Sequence, residues 1–402
     1  MNKLNSKIII FGFIFTFFSS FGQSFFLGLF NAPIRNELSI THGQFGSIYA
    51  SATICSSLLL IWVGKKIDDY KLINYSLLVI ILLFLSSLFF SFINSIYFLA
   101  IGIFLIRFSG QGLMSHTSAT AITRFFDKSR GKALSTIWFG LSSAEFILPV
   151  LVTYLFIIYS WRTVWQGIAI LVILFLPLVV LNTIKSINLD SREDEKTNLN
   201  KIKIKNWKRK EVIKDYRFYI ISLNMLAMPW IATGIFVYQS YITDSKLWST
   251  YTIPKAFMVY SITSIITLFS SGFLVDKFTS RKLIPAMNIP LLFAMIVLFY
   301  FQNEIYAYFF LGLIGVSNGL ANVLGSSTWA EIYGVKYIGS IRALTIALMV
   351  FSTAFGTAVF GILIDYGFSI ERIAFVSGAY IIISWILLII FRHTLEPVKL
   401  LK

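Results

Sequence analysis

The sequence predicts an all-α membrane protein: twelve transmembrane helices arranged as two pseudo-symmetric six-helix bundles. Three observations predict it. Of the 402 residues, 57% are hydrophobic and only 13% charged, whereas a soluble domain carries about 25% charged residues, and the mean hydropathy is +0.79. Apolar runs of about 20 residues, the length that crosses hydrocarbon, recur twelve times, at approximately 8–30, 44–63, 73–93, 96–122, 132–158, 162–184, 217–242, 254–275, 283–301, 305–328, 340–364 and 369–391. Sorted by alternate loops, 28 of the 34 lysines and arginines fall on one side, five (Arg35, Arg162, Lys246, Lys255 and Arg372) on the other, and Arg107 alone within a span. Basic loops stay in the cytoplasm, so both termini are expected there, as an even number of spans requires.

Taken in order, Lys3 and Lys7 precede an apolar run that continues to Phe30 without a convincing small-residue cleavage site, so it reads as a retained first span rather than a signal peptide. The fourth and fifth runs exceed what a bilayer needs, which allows tilt. The one long polar stretch, 185–216, follows the sixth run and divides the chain into a bundle at 1–184, a basic linker and a bundle at 217–402. The stretch KIKIKNWKRKEVIKDYR from Lys201 reads either as a solvated linker or as a basic amphipathic segment on an anionic membrane surface. The halves echo each other: Gly64 and Asp68 after the second run match Gly272 and Asp276 after the eighth, and Arg130-Gly131 after the fourth has a counterpart in Gly339 to Leu344 after the tenth. Internal repeats of this kind are common in transporter folds.

Composition excludes several classes. The net charge of +16 lies in short loops rather than interleaved with aromatics on one surface, so no nucleic-acid partner is expected. Three scattered histidines and one cysteine, Cys55, supply neither a metal cluster nor a nucleophile with its base. No Gly-x-x-x-x-Gly-Lys-Ser/Thr loop is present. The reading is of a protein that is not an enzyme and carries no cofactor or metal.

The stretch Arg107–Pro149 places two charges inside hydrocarbon, where a charge costs about 2.5–3.5 kcal/mol. Arg107 lies about 16 Å below one end of its helix and Glu145 about 20 Å above the other end of the next, at 1.5 Å per residue, so both reach mid-depth on antiparallel neighbours. Two readings follow. The charges form a permanent structural pair, or Arg107 binds a substrate carboxylate with its planar fork while Glu145 exchanges a proton. At 100° per residue Gln111, Met114 and Ser118 share Arg107's face and His116 lies opposite. Asn318 and Asn322 stack at i, i+4 on the tenth run and must face protein or a cavity. Gln23 and Asn31 lie on the first run, and Asn224, Gln239 and Tyr241 on the seventh.

At these residues the chain resembles the major facilitator superfamily over essentially its whole length. Gly64 and Asp68 match the loop motif between helices two and three, with Asp69 and Lys71 where an arginine and a glycine are usual; Gly272, Asp276, Lys277, Arg281 and Lys282 match its second-half copy. Arg107-x-x-Gly110-x-Gly112 is similar to the fourth-helix motif, whereas Gly140 and Pro149 stand without the fifth-helix core of drug antiporters. Arg124-Phe-Phe, Arg130-Gly131-Lys-Ala133, Pro149 and Trp161-Arg162 resemble the branch of monocarboxylate carriers and the oxalate/formate antiporter. The resemblance implies alternating access around a mid-depth cavity between helices one, four, seven and ten. It makes Arg107, Gln111, Asn318, Asn322 and Gln23 candidate substrate ligands, Glu145 a proton-coupling residue, and Gly64, Asp68, Arg130, Gly272, Asp276 and Arg281 gating elements. The expected protein is a monomeric secondary carrier of a small organic anion in a bacterial inner membrane, by proton symport or anion exchange. An exporter of amphipathic compounds and a receptor that does not transport are the alternatives.

Overall fold

In the computed structural model, residues 3–126, 130–184, 205–334 and 336–396 are described. They form helices throughout, and eleven of these are long and apolar enough to span a membrane. The first six spans are built by α1 (Lys3–Ser19), α2 (Ser24–Leu29), α3 (Asn31–Leu38), α4 (His42–Gly64), α5 (Leu72–Phe90), α6 (Ile96–Ile106), α7 (Ser115–Phe125), α8 (Arg130–Ile158) and α9 (Trp161–Thr183). Then follow α10 (Arg209–Lys214), α11 (Tyr216–Val237), α12 (Gln239–Ser245), α13 (Thr252–Phe278), α14 (Ser280–Leu283), α15 (Ile289–Tyr300), α16 (Ile305–Tyr333), α17 (Ile338–Asp365) and α18 (Ile370–Ile390).

Helix starts follow from local chemistry. The first amides of a helix lack internal acceptors, and hydroxyls supply them: Thr41 and Gln44 form a reciprocal capping box at α4, while Ser95, Ser160 and Ser369 cap α6, α9 and α18.

Two expected spans are interrupted. The first, read as 8–30, breaks after a 3₁₀ turn at Ser20–Gly22, where Gln23 is extended (φ −83°, ψ 155°). The seventh, read as 217–242, breaks at Tyr238 between α11 and α12. They open the two halves, and each break frees backbone groups from the helical ladder. Length and mean hydropathy do not reveal either break, because each run as a whole stays apolar; Gln23 and Gln239 are the local polar marks. The fourth span is unbroken but wound as a π-helix over Arg107–Met114, between α6 and α7.

By packing, the chain forms two units. The first comprises the first six spans together with Phe236–Tyr241 and Thr357–Asp365; the second comprises the remainder of the second half. In the first unit α8 packs along α1, and α1 packs on α7 and the π stretch. In the second, α13 and α16 make the most extensive pairing. A Cβ on Gly315 would lie 2.3 Å from the Tyr260 carbonyl and one on Gly319 2.7 Å from that of Ser264, so this pairing depends on two backbones in direct contact. Gly315→Val is expected to destabilise the second unit by about 1–3 kcal/mol, since overpacking forces backbone shifts. A lowered melting temperature of detergent-solubilised protein checks it; an unchanged one overturns it.

Within the stretch read as a linker, residues 185–204 lie outside those described. Lys205–Asp215 packs on the second unit. Val212 is fully buried, the Trp207 amide donates to the Tyr333 carbonyl at 2.9 Å, and Asp215 pairs with Arg217 at 2.7 Å. Exposed residues such as Lys208, Arg209, Lys210 and Lys214 carry the basic character.

At the other end of the first unit Glu37 of α3 receives the Trp161 indole N–H at 2.7 Å and the Arg162 guanidinium. The Arg162 hydrogen bond holds its carboxyl below the ordinary value of 4.5. A depressed carboxyl contributes stability above its unfolded value and loses it as pH falls through the folded one. Glu37 is half-exposed, so the expected contribution is under about 1 kcal/mol. Melting temperatures between about pH 6 and pH 3 should fall less steeply in Glu37→Gln than in the parent; parallel curves overturn the assignment.

Candidate functional site

Arg107 enters the site through glycine. Gly22, at the break of the first span, lies against the π stretch: a Cβ there would be 2.6 Å from the Ile106 carbonyl, and one on Gly110 would be 2.8 Å from the Gly22 nitrogen. That approach puts the Gly22 carbonyl, freed by the break, within reach of a side chain. Arg107 Nη1 donates to it at 3.2 Å and to the Tyr49 hydroxyl of α4 at 2.9 Å. The guanidinium carbon sits 5.0 Å from the centre of the Tyr49 ring, a favourable place for a cation. Arg107 is 3% exposed and Tyr49 fully buried. Arg107 Nε has no partner, and among the described residues no carboxylate pairs with this arginine. An uncompensated buried guanidinium is expensive.

Glu145, on α8, is 8% exposed and forms no ion pair among the described residues. The pair allowed by depth alone is therefore not made. Packing explains the difference: α1 lies against both α8 and the π stretch, and Arg107 turns toward Gly22 and α4.

The remaining predicted residues divide. Gln111 is half-buried with its backbone beside Gly22. Ser118 donates to the Gly12 carbonyl at 2.8 Å, so Arg107 and Ser118 both meet the first span. His116 meets the Gly64 carbonyl at 3.0 Å, away from Arg107. Gln23 is half-buried at the break itself. Asn318 Nδ2 donates to Ser264 Oγ at 2.9 Å within the α13–α16 pairing, and Asn322, one turn on, is exposed.

Among the loop-motif residues, Asp68 pairs with Arg124, and the side chain of Arg130 lies outside those described. Arg281 pairs with Glu396 at 2.5 Å. Asp276 is exposed. At Gly272 a Cβ would meet nothing within 4 Å, and the tight contact of α13 falls earlier, where Tyr260 and Ser264 meet Gly315 and Gly319 of α16.

Sequence reasoning named Asn31 and Gln239 but not the set of contacts to which they belong. Asp365, the last residue of α17, accepts the backbone N–H of His42 at 3.0 Å and of Gly43 at 2.8 Å, so its carboxylate caps α4 beside the Thr41 box. The Tyr238 hydroxyl lies 2.9 Å from the Thr357 carbonyl and 3.0 Å from the His42 carbonyl. Asn31 Nδ2 donates to the Val237 carbonyl at 2.7 Å, and Gln239 Nε2 to the Phe25 carbonyl at 2.9 Å, so the two interrupted spans exchange amide-to-carbonyl bonds. We call this set the latch. A polar residue at each break was the available signal, but only the breaks say which carbonyls need partners.

An apolar groove of about 320 Å³ lies in the same unit beside the first break, lined by residues including Phe21, Phe26, Leu148, Val152 and Ile168.

An interrupted span opening each half, a buried guanidinium without a counter-ion among the described residues and a π-wound helix fit a polytopic helical membrane protein of the transporter class. Residues 12–344 match the model of the Major Facilitator Superfamily, and the chain belongs to that family; it is a transporter and not an enzyme. No curated protein sequence matches it. Its fold is similar to that of a bacterial homolog to the human lysosomal transporter Spinster, inward-facing and unoccupied, at 13% identity over 98% of both chains with a TM-score of 0.74. The occupied form of that homolog aligns at 14% identity over 98% of this chain and 95% of that one, with a TM-score of 0.67. The nucleoside transporter NupG aligns at 13% identity over 97% of this chain and 99% of that one, with a TM-score of 0.74.

Proposed function

We propose that the protein is a secondary carrier of a small organic anion, monocarboxylate-like, working by alternating access with Arg107 as the anion-binding residue. The observation that carries the reading is the state of Arg107: buried and, among the described residues, bonded only to a neutral hydroxyl and a carbonyl, with Nε unpartnered. A carboxylate supplies the missing counter-charge and matches the planar fork. Glu145, buried without an ion-pair partner, is the residue to carry a coupled proton; exchange without a proton is the other coupling. Gln111, on the same π stretch as Arg107, and Gln23, next in the chain to Gly22, are the polar candidates of the first half, and Asn322 offers an exposed amide for the second. We place both termini in the cytoplasm from the sidedness of the basic loops, and the protein as a monomer in a bacterial inner membrane.

The apolar groove beside the first break favours a second reading, export of amphipathic compounds with Glu145 alone as coupling site. A thermal-shift screen of purified protein separates the two, because a bound ligand stabilises by mass action. Small carboxylates raising the melting temperature, with the effect lost in Arg107→Ala, is the expected result. Stabilisation by lipophilic cations alone overturns the anion reading.

A further inference from the structure

The latch and Arg107 are served by one helix. α4 opens with His42 and Gly43, whose amides bond Asp365. One turn in, Gly46 lies against the Thr357 carbonyl and the Tyr238 hydroxyl. The next turn carries Tyr49, whose hydroxyl holds Arg107. At 100° per residue His42 and Tyr49, seven apart, share one face within about 20°. α4 runs without interruption from His42 to Gly64, so a displacement of its first turn moves Tyr49 with it.

We propose that α4 couples Arg107 to the latch, with Tyr49 as the positioning residue: its hydroxyl occupies the guanidinium while Asp365 holds α4, and its replacement by the substrate's carboxylate releases α4 from Asp365. The proposal rests on the reading of Arg107 as the anion site. A phenol is a neutral acceptor and bonds a single nitrogen, Nη1. A carboxylate is charged and accepts two parallel N–H bonds, and the unpartnered Nε–H is available for one of them. The exchange therefore runs in the direction that binding requires. Once Tyr49 has yielded, the latched position of α4 has lost the charge-assisted bond that favoured it. Coupling of this kind is reciprocal: whatever factor the anion exerts on the latch, the latch exerts on the affinity for the anion.

The test uses the full-length protein with Cys55→Ser and spin labels at Asn36→Cys and Tyr366→Cys, exposed positions close in the chain to the start of α4 and to Asp365. Pulsed electron–electron resonance reads the distance between them without ligand. Tyr49→Phe keeps the ring against Phe45 and removes only the hydroxyl. The expected result is a rise of about tenfold in the population with separated labels, the equivalent of one hydrogen bond to a charged group. A lowered melting temperature with an unchanged distance distribution means that Tyr49 is structural, and overturns the proposal. In the reverse direction, Asp365→Asn is expected to tighten binding of lactate, titrated by thermal shift, by a similar factor; unchanged affinity also overturns it. If lactate and other short carboxylates fail to bind the parent protein while Tyr49→Phe separates the labels, the anion reading of Arg107 falls and the coupling stands.

Discussion

Arg107→Ala is expected to lower the uptake of small carboxylates into proteoliposomes by at least a hundredfold while the protein still reaches the membrane and purifies as a folded species. Truncating one member of a buried charge interaction typically costs about 3–5 kcal/mol, and each 1.36 kcal/mol is a factor of ten in rate. The alanine variant removes the buried positive charge bonded at the first break. What it leaves behind is mild, a phenol and a carbonyl that water can satisfy, so stability should suffer less than transport. Arg107→Lys refines the test. Lysine keeps the charge but not the fork, so partial uptake with weakened affinity is expected. Full activity in the lysine variant means that charge alone matters; full activity in the alanine variant sinks the assignment of Arg107.

Gly46→Val is the second large effect. A Cβ at Gly46 would lie 2.3 Å from the Thr357 carbonyl oxygen and 2.3 Å from the Tyr238 hydroxyl, distances that real Cβ atoms do not adopt. Neither obstacle is the end of a flexible chain: one is backbone, the other a ring hydroxyl already bonded to two carbonyls. The latched arrangement then cannot form, and the labels at positions 36 and 366 should be found separated in nearly all molecules. Net transport, which needs both arrangements in turn, should be lost. Valine is β-branched, but a helix tolerates it at well under 1 kcal/mol, so loss of function with a normal melting temperature is the expected pattern. A closed distance distribution in this variant overturns the description of the latch.

The candidate site was half legible. Arg107 stood out because a charge in a run such as FLIRFSGQGLM has no bland reading, and Glu145 for the same reason. Their relation was not legible: depth along a helix follows from residue count, but the direction a side chain takes depends on which neighbour packs there. Helical periodicity also assumes an α-helix, and the π winding over Arg107–Met114 departs from it. Tyr49 was invisible, one of nineteen tyrosines in a run that reads as membrane filling. Asp365 gives no sequence signal either, because its partners are backbone amides, which every residue but proline has.

The sequence by itself determined the class. Span number, sidedness of the basic loops and the echo between halves follow from the cost of placing charge and unpaired backbone in hydrocarbon, and that cost is paid residue by residue, so it is written locally. Tertiary structure decided which polar groups meet. The breaks at Gln23 and Tyr238 free the Gly22 and Val237 carbonyls that Arg107 and Asn31 satisfy, and glycines at 22, 46 and 110 set how closely the backbones come. Those pairings, and that of His42 with Asp365, join residues up to 323 positions apart, and no local pattern specifies them, because the energy that selects each contact belongs to two helices at once.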